Sequence, residues 1–133
     1  MIKKTVNYVD FNGTEVTEAF YFHFSQAELL DMELGTDGGF VERVQAMIDA
    51  KDQKELLKFI KKFVYDSYGV KSPDGKRFIK NEEVKTAFVE SPAYSKIFME
   101  LVTNDEVAAE FVNGVIPDDL KAQYAEALAK QKA

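Results

Sequence analysis

Three observations predict an α+β fold, mostly α: an N-terminal antiparallel β-hairpin packed on a bundle of five to seven short helices. The first is a β-branched and aromatic stretch over residues 5–24, interrupted by Asn12-Gly13, a dipeptide favoured where a hairpin turn needs positive φ. The second is a series of short apolar runs at helical spacing after residue 25. The third is that capping residues, Gly or Pro punctuate those runs.

The elements follow in order. Residues 5–11, Thr-Val-Asn-Tyr-Val-Asp-Phe, read as a strand, and residues 14–24 as its partner. In the second strand Val16, Phe20, Phe22 and Phe24 share a face with Glu18, whereas Thr17, Ala19, Tyr21 and His23 share the other. A lone hairpin is marginal in water, so its apolar face must lie on the helices that follow. Ser25-Gln26-Ala27-Glu28 is a capping box, which opens a short helix to about residue 34. Gly35, Gly38 and Gly39 break the chain. A second helix is expected over residues 40–50, with Phe40, Val41, Val44, Met47 and Ile48 as its stripe. Asp52 can cap a third and longest helix with Leu56, Leu57, Phe59, Ile60, Phe63 and Val64 on its apolar face. Gly69 is placed to end it as a left-handed residue, and Pro73-Asp74-Gly75 makes a turn in the loop beyond.

A fourth helix starts at Lys80 or Asn81 and runs to about Glu90. Ser91-Pro92, a cap followed by Pro at the first helical position, opens a fifth. Asn104 caps a sixth, which Gly114 stops. Pro117-Asp118 opens a last, Ala-rich segment. The core is expected to include Phe59, Ile60, Phe63, Tyr94, Phe98 and Leu101. No linker divides the chain, so residues 1–133 are read as a single domain, with the hairpin at 5–24 and the helical region at 25–130.

Composition narrows the function. Hydrophobic residues make up 46% and charged residues 30%, which argues against wholesale disorder. Cysteine is absent, so disulfides and thiolate metal sites are excluded. Neither a signal peptide nor a run of roughly 18 apolar residues is evident, and a reducing cytosol is the expected location. A net charge of −6 disfavours nucleic acid. The one basic cluster, Lys51, Lys54, Lys58, Lys61 and Lys62, reads as a solvated helix face.

The chemistry-bearing side chains do not assemble into a site. His23 is the sole histidine and reads as structural, between Phe22 and Phe24. The acidic pairs Asp31 and Glu33, Glu82 and Glu83, and Asp118 and Asp119 lie near helix ends, where the dipole accommodates them. General acid-base work needs carboxylates that converge in one cleft. The 35–39 segment lacks the Lys-Ser/Thr ending of a phosphate loop, and residues 66–75 lack a calcium-loop pattern. No enzyme, cofactor or metal is therefore expected, and an assembly or binding module fits better.

Three stretches taken together resemble a tail assembly chaperone family of siphophages and related prophages. They are residues 5–14 with 20–25 and 28–33, residues 63–80, and residues 91–101 running on to 117. The resemblance spans most of residues 5–117 and rests on overall pattern rather than on a catalytic motif. It implies a protein that coats the tape measure protein, a long helical chain, and delivers tail tube subunits to it. It also implies action in the cytoplasm of the bacterial host, absence from the mature virion and, for many members, a second length made by programmed frameshift. Homo-oligomers are compatible with it. The alternatives are a structural tail or connector component retained in the virion, or a small non-enzymatic adaptor.

Client binding is expected in a groove between helices, bordered by the outer face of the hairpin at Tyr21 or by Tyr65 and Tyr68 near the Pro-Asp-Gly turn. Tyrosine brings apolar area and a polar tip to a contact, although for any one of the three a half-buried packing role is the more ordinary explanation.

Overall fold

The computed structural model describes residues 1–35, 43, 46 and 53–115, without the side chains of Asp105, Ala109 and Asn113. Gly35 follows α1 with its N–H on Asp31 O at 2.8 Å, whereas Gly38, Gly39, the expected helix over residues 40–50 apart from residues 43 and 46, the Asp52 cap and the segment from Pro117 onward lie outside the described residues.

The N-terminal hairpin comprises β1 (Ile2–Val9) and β2 (Glu15–Phe22). They pair antiparallel, from Ile2 opposite Phe22 to Val9 opposite Glu15. The strand starts earlier than the composition suggests, and Phe11 falls in the turn rather than in β1. Phe11 is placed in the turn by Asp10, whose Oδ1 accepts from the N–H groups of Asn12 and Thr14, both at 2.9 Å. Gly13 N–H donates to Asp10 O at 3.0 Å, and Gly13 takes φ +82°. The turn is therefore longer than a two-residue loop centred on Asn12-Gly13, with the left-handed position at its end.

The strand faces divide as the alternation predicts. Tyr8, Phe20 and Phe22 are buried, with Phe24 just beyond the strand, whereas Lys3, Thr5, Asn7 and Thr17 are exposed.

A second hairpin was not legible as strand. β3 (Tyr68–Lys71) and β4 (Phe78–Ile79) extend the sheet to four antiparallel strands in the order β1-β2-β3-β4. Tyr21 faces Gly69, and Val70 faces Ile79. Pro73-Asp74-Gly75 forms the connecting turn. Gly75 N–H donates to Ser72 O at 2.9 Å, Gly75 has φ +73°, and Asp74 Oδ1 accepts from Ser72 Oγ and from the Lys76 N–H. Gly69 is consequently a strand residue, not a helix terminator. A Cβ there would lie 2.6 Å from the Phe78 ring and 2.9 Å from Ile79 O.

Five helices are described: α1 (Gln26–Leu34), α2 (Gln53–Ser67), α3 (Glu82–Val89), α4 (Pro92–Thr103) and α5 (Asp105–Val115). The Ser25 capping box is present, with Glu28 N–H donating to Ser25 Oγ at 3.1 Å and Ser25 N–H donating to Glu28 Oε1 at 3.0 Å. Asn81 caps α3 by accepting from Val84 N–H, and Asn104 caps α5 by accepting from the N–H groups of Glu106 and Val107. Ser91 differs from expectation. It precedes Pro92 at the helix start, but its hydroxyl donates back to Phe88 O at 2.6 Å and makes no side-chain cap. Gly114 does not stop α5, which is still helical at Val115. Instead Gly114 meets Ile2, and a Cβ there would lie 2.9 Å from Ile2 Cδ1.

The inner face of the sheet lies on helices: α4 and α5 pack on β1, α3 on β3, and α2 on α4. The joint is aromatic. Phe22 is fully buried, with ring centroids of Phe111 at 5.0 Å, Tyr68 at 5.7 Å and Phe88 at 5.8 Å. Phe63 bridges to Phe24 at 5.2 Å and Phe111 at 5.9 Å. Of the core residues expected from the sequence, Phe63 and Leu101 are buried, Phe59, Ile60 and Tyr94 pack partly buried against the cluster, and Phe98 is half-buried, stacked on Tyr94.

Candidate partner-binding surfaces

The three tyrosines singled out from the sequence occupy different settings. Tyr21 lies on the outer face of β2, opposite Lys3 on one side and Gly69 on the other. It is half-buried, and Lys71 Nζ sits 4.1 Å from its ring centroid. Tyr65 is half-buried near the end of α2. Its carbonyl accepts a hydrogen bond from Lys85 Nζ, which also lies 4.9 Å from its ring centroid. Tyr68 is 9% exposed and stacks on Phe88 at 4.1 Å. Burial, with a smaller contribution from Glu18, raises its phenol pKa above the usual value. Its place in the aromatic joint gives it a packing role, which leaves Tyr21 and Tyr65 as the more accessible pair.

Lys85 is the fastener between α3 and the end of α2. Besides Tyr65 O it donates to Tyr68 O at 3.2 Å, so it serves one carbonyl in the last turn of α2, where the helix leaves carbonyls unpaired, and one at the start of β3. Burial, followed by repulsion from Lys80, pushes its ammonium down to about 8.

A shallow apolar hollow opens between α2, α4 and α5, lined by Phe59, Ile60, Phe63, Val64, Leu101, Ala108, Phe111 and Val112. None of Tyr21, Tyr65 and Tyr68 lines this hollow. The solvent side of α2 carries Lys54, Lys58, Lys61 and Lys62, all exposed. Lys62 pairs with Asp66 at 2.6 Å and Lys58 with Glu55 at 3.6 Å. Such exposed pairs contribute little, about 0–1 kcal/mol each, and the row behaves as a solvated face.

His23 packs edge-on against Phe78 at 6.0 Å, and its buried Nδ1 has no hydrogen-bond partner among the described residues. Burial, then the N-terminal ammonium and Lys80, lower its pKa. Nearby, Lys80 Nζ donates to Glu28 Oε2 at 2.7 Å. Burial opposes ionisation of Glu28, but the hydrogen bonds from Lys80 and Ser25 outweigh it, and its pKa falls below the ordinary carboxylate value. The two groups make stability pH-dependent with the same sign. The fold prefers neutral His23, so that contribution is full above the unfolded value near 6.5 and is lost as pH falls through the folded value. The Glu28 contribution is full above its unfolded value near 4.5 and is lost below it. The urea midpoint is expected to fall as pH drops from 7 to 5, and to fall less for His23→Phe. An unchanged slope in that variant rules out His23 as the source.

Among the described residues no group of three or more His, Asp or Glu side chains could hold a metal ion, and no described helix is long and apolar enough to cross a membrane.

The family model described as "Phage tail assembly chaperone" matches residues 1–133, the full length. The chain belongs to the phage tail assembly chaperone family. This places it in bacteriophage tail assembly and agrees with the resemblance carried by residues 5–117. No curated protein and no solved structure matches this chaperone.

Sequence reasoning passed over one exposed feature of the chaperone. Phe11 was assigned to a strand, yet it stands in the hairpin turn and is 85% exposed. The signal was present in Asp10, an Asx-type turn former one residue earlier.

Proposed function

We propose that this chaperone binds the phage tape measure protein, keeps it soluble and helps bring tail tube subunits to it during tail morphogenesis. The observation that carries the reading is the family match over residues 1–133. A tape measure protein presents long apolar helical surface, and its keeper needs apolar contact area and no chemistry. Accordingly the chain acts as one non-enzymatic domain, in the host cytoplasm, and is left out of the mature virion. Tyr21 and Tyr65 are the tyrosines offered for contact, since Tyr68 is committed to the core.

Co-expression with the tape measure protein tests this. The client is expected to move from the insoluble to the soluble fraction and to co-elute with the chaperone on gel filtration. Equal solubility with and without the chaperone, and no complex, overturns the reading. Fixed copy number in purified virions supports the alternative, a structural tail component.

A further inference from the structure

Phe11 is the most exposed large apolar side chain among the described residues, at 85%, and Val9 beside it is 57% exposed. A turn has no need of an aromatic at this position, because a small polar residue fits without exposing a ring to water. The backbone beneath the ring is fixed. Asp10 Oδ1 holds two N–H groups, and Asp10 N–H donates to Thr14 O at 2.9 Å to close the loop. A ring presented on a braced turn loses little conformational freedom on docking, which is the arrangement of an anchor residue.

Charge defines what the anchor fits. Residues 5–22 contain Asp10, Glu15 and Glu18 and no Lys or Arg. Of the cations near this hairpin, Lys96 of α4 and Lys4 of β1 are engaged, and Lys3 lies at the end of β1 away from the tip, opposite Tyr21. Lys96 Nζ donates to Asn7 O at 2.6 Å, and Lys4 pairs with Glu100 at 2.7 Å. The tip is thus an apolar knob beside carboxylates, and the lysine row of α2 is the oppositely charged surface of the same molecule.

We propose that the Phe11 hairpin tip is a client-docking anchor, and that the client segment it takes is amphipathic, with an apolar stripe flanked by Lys or Arg. The proposal rests on the tape measure reading above and names both the contact surface and the chemistry of the segment. Charge repulsion from Lys54 and Lys61, both exposed, disfavours such a segment on α2 relative to the hairpin.

The experiment measures affinity of the full chain for overlapping peptides that tile the tape measure protein. Wild type, Phe11→Ser and Glu15→Lys are compared after equal denaturation midpoints show that all three are folded. Wild type is expected to select apolar segments with basic flanks. Phe11→Ser is expected to weaken them at least roughly tenfold, as loss of a central aromatic anchor does. Glu15→Lys is expected to weaken them too and to reduce the salt dependence. If Phe11→Ser binds the same peptides with unchanged affinity, the anchor is overturned while the tape measure reading stands. Selection of acidic-flanked peptides overturns the stated client chemistry. If wild type binds neither the peptides nor the intact client, both readings fall.

Discussion

Phe22→Ala is expected to lower the free energy of unfolding by about 3–5 kcal/mol, as truncation of a buried Phe does, seen as a large drop in the urea midpoint with little change in slope. Phe22 is fully buried and lies at the junction of three elements: Phe111 of α5, Phe88 of α3 and Tyr68 of β3 all pack against its ring. Those neighbours belong to different helices and a strand, so no single rotamer change refills the space. The loss includes both the transfer of the ring from water and the contacts of the atoms that lined it. Against the roughly 5–15 kcal/mol expected for a domain this is a large fraction. Phe11→Ser serves as the contrast, with an effect within about 0.5 kcal/mol because its ring is already in water. If the two substitutions shift the midpoint equally, the sheet-on-helix joint does not sit at Phe22.

Why some of this architecture was legible in the sequence and some was not can be traced to particular residues. Period-two alternation in 16–24 announced β2 and its buried face, because a strand with one wet side must alternate. Ser25 with Glu28, Asn81 and Asn104 announced three helix starts, since each offers a side-chain oxygen to amides the helix leaves unpaired. The segment from Tyr68 to Ile79 gave no such signal. β3 has four residues and β4 two, too few to show a period. Their strand character comes from pairing, β3 with β2 and β4 with β3, and the contact with β2 is a tertiary one that local pattern does not contain. Reading Gly69 as a helix terminator and Gly114 as a stop had the same origin. Both glycines answer to close neighbours far along the chain, Phe78 with Ile79 for one and Ile2 for the other.

The candidate surface was less legible than the fold. Tyr21, Tyr65 and Tyr68 were indistinguishable by residue type, and only burial separates Tyr68, stacked on Phe88, from the other two. Phe11 looked like the last residue of an apolar strand. The Asp10 side chain takes it out of the strand by satisfying the Asn12 and Thr14 amides itself. An Asx contact of this kind competes with the ladder and can move a strand end by a residue or two.

Gly69→Val is expected to be the other severe substitution, with a loss of about 3 kcal/mol, the upper end of what overpacking usually costs. Gly69 faces Tyr21 across the β2–β3 pairing, and its neighbour Val70 faces Ile79 across the next. The first carbon of any side chain would meet the Phe78 ring at 2.6 Å and the Ile79 carbonyl at 2.9 Å. The ring can swing aside at some cost to its edge contact with His23. The carbonyl is backbone and moves only if β4 moves, which breaks the β3–β4 pairing. Valine adds two further methyls to that overlap, and its preference for strands cannot compensate for a collision with the neighbouring strand. The damage should remain local at first. Amide exchange should rise at Val70, Lys71 and Ile79 before it rises in β1 and β2, whose pairing from Ile2–Phe22 to Val9–Glu15 does not involve Gly69. A variant with wild-type midpoint and unchanged exchange in β3 and β4 would show that the sheet ends at β2.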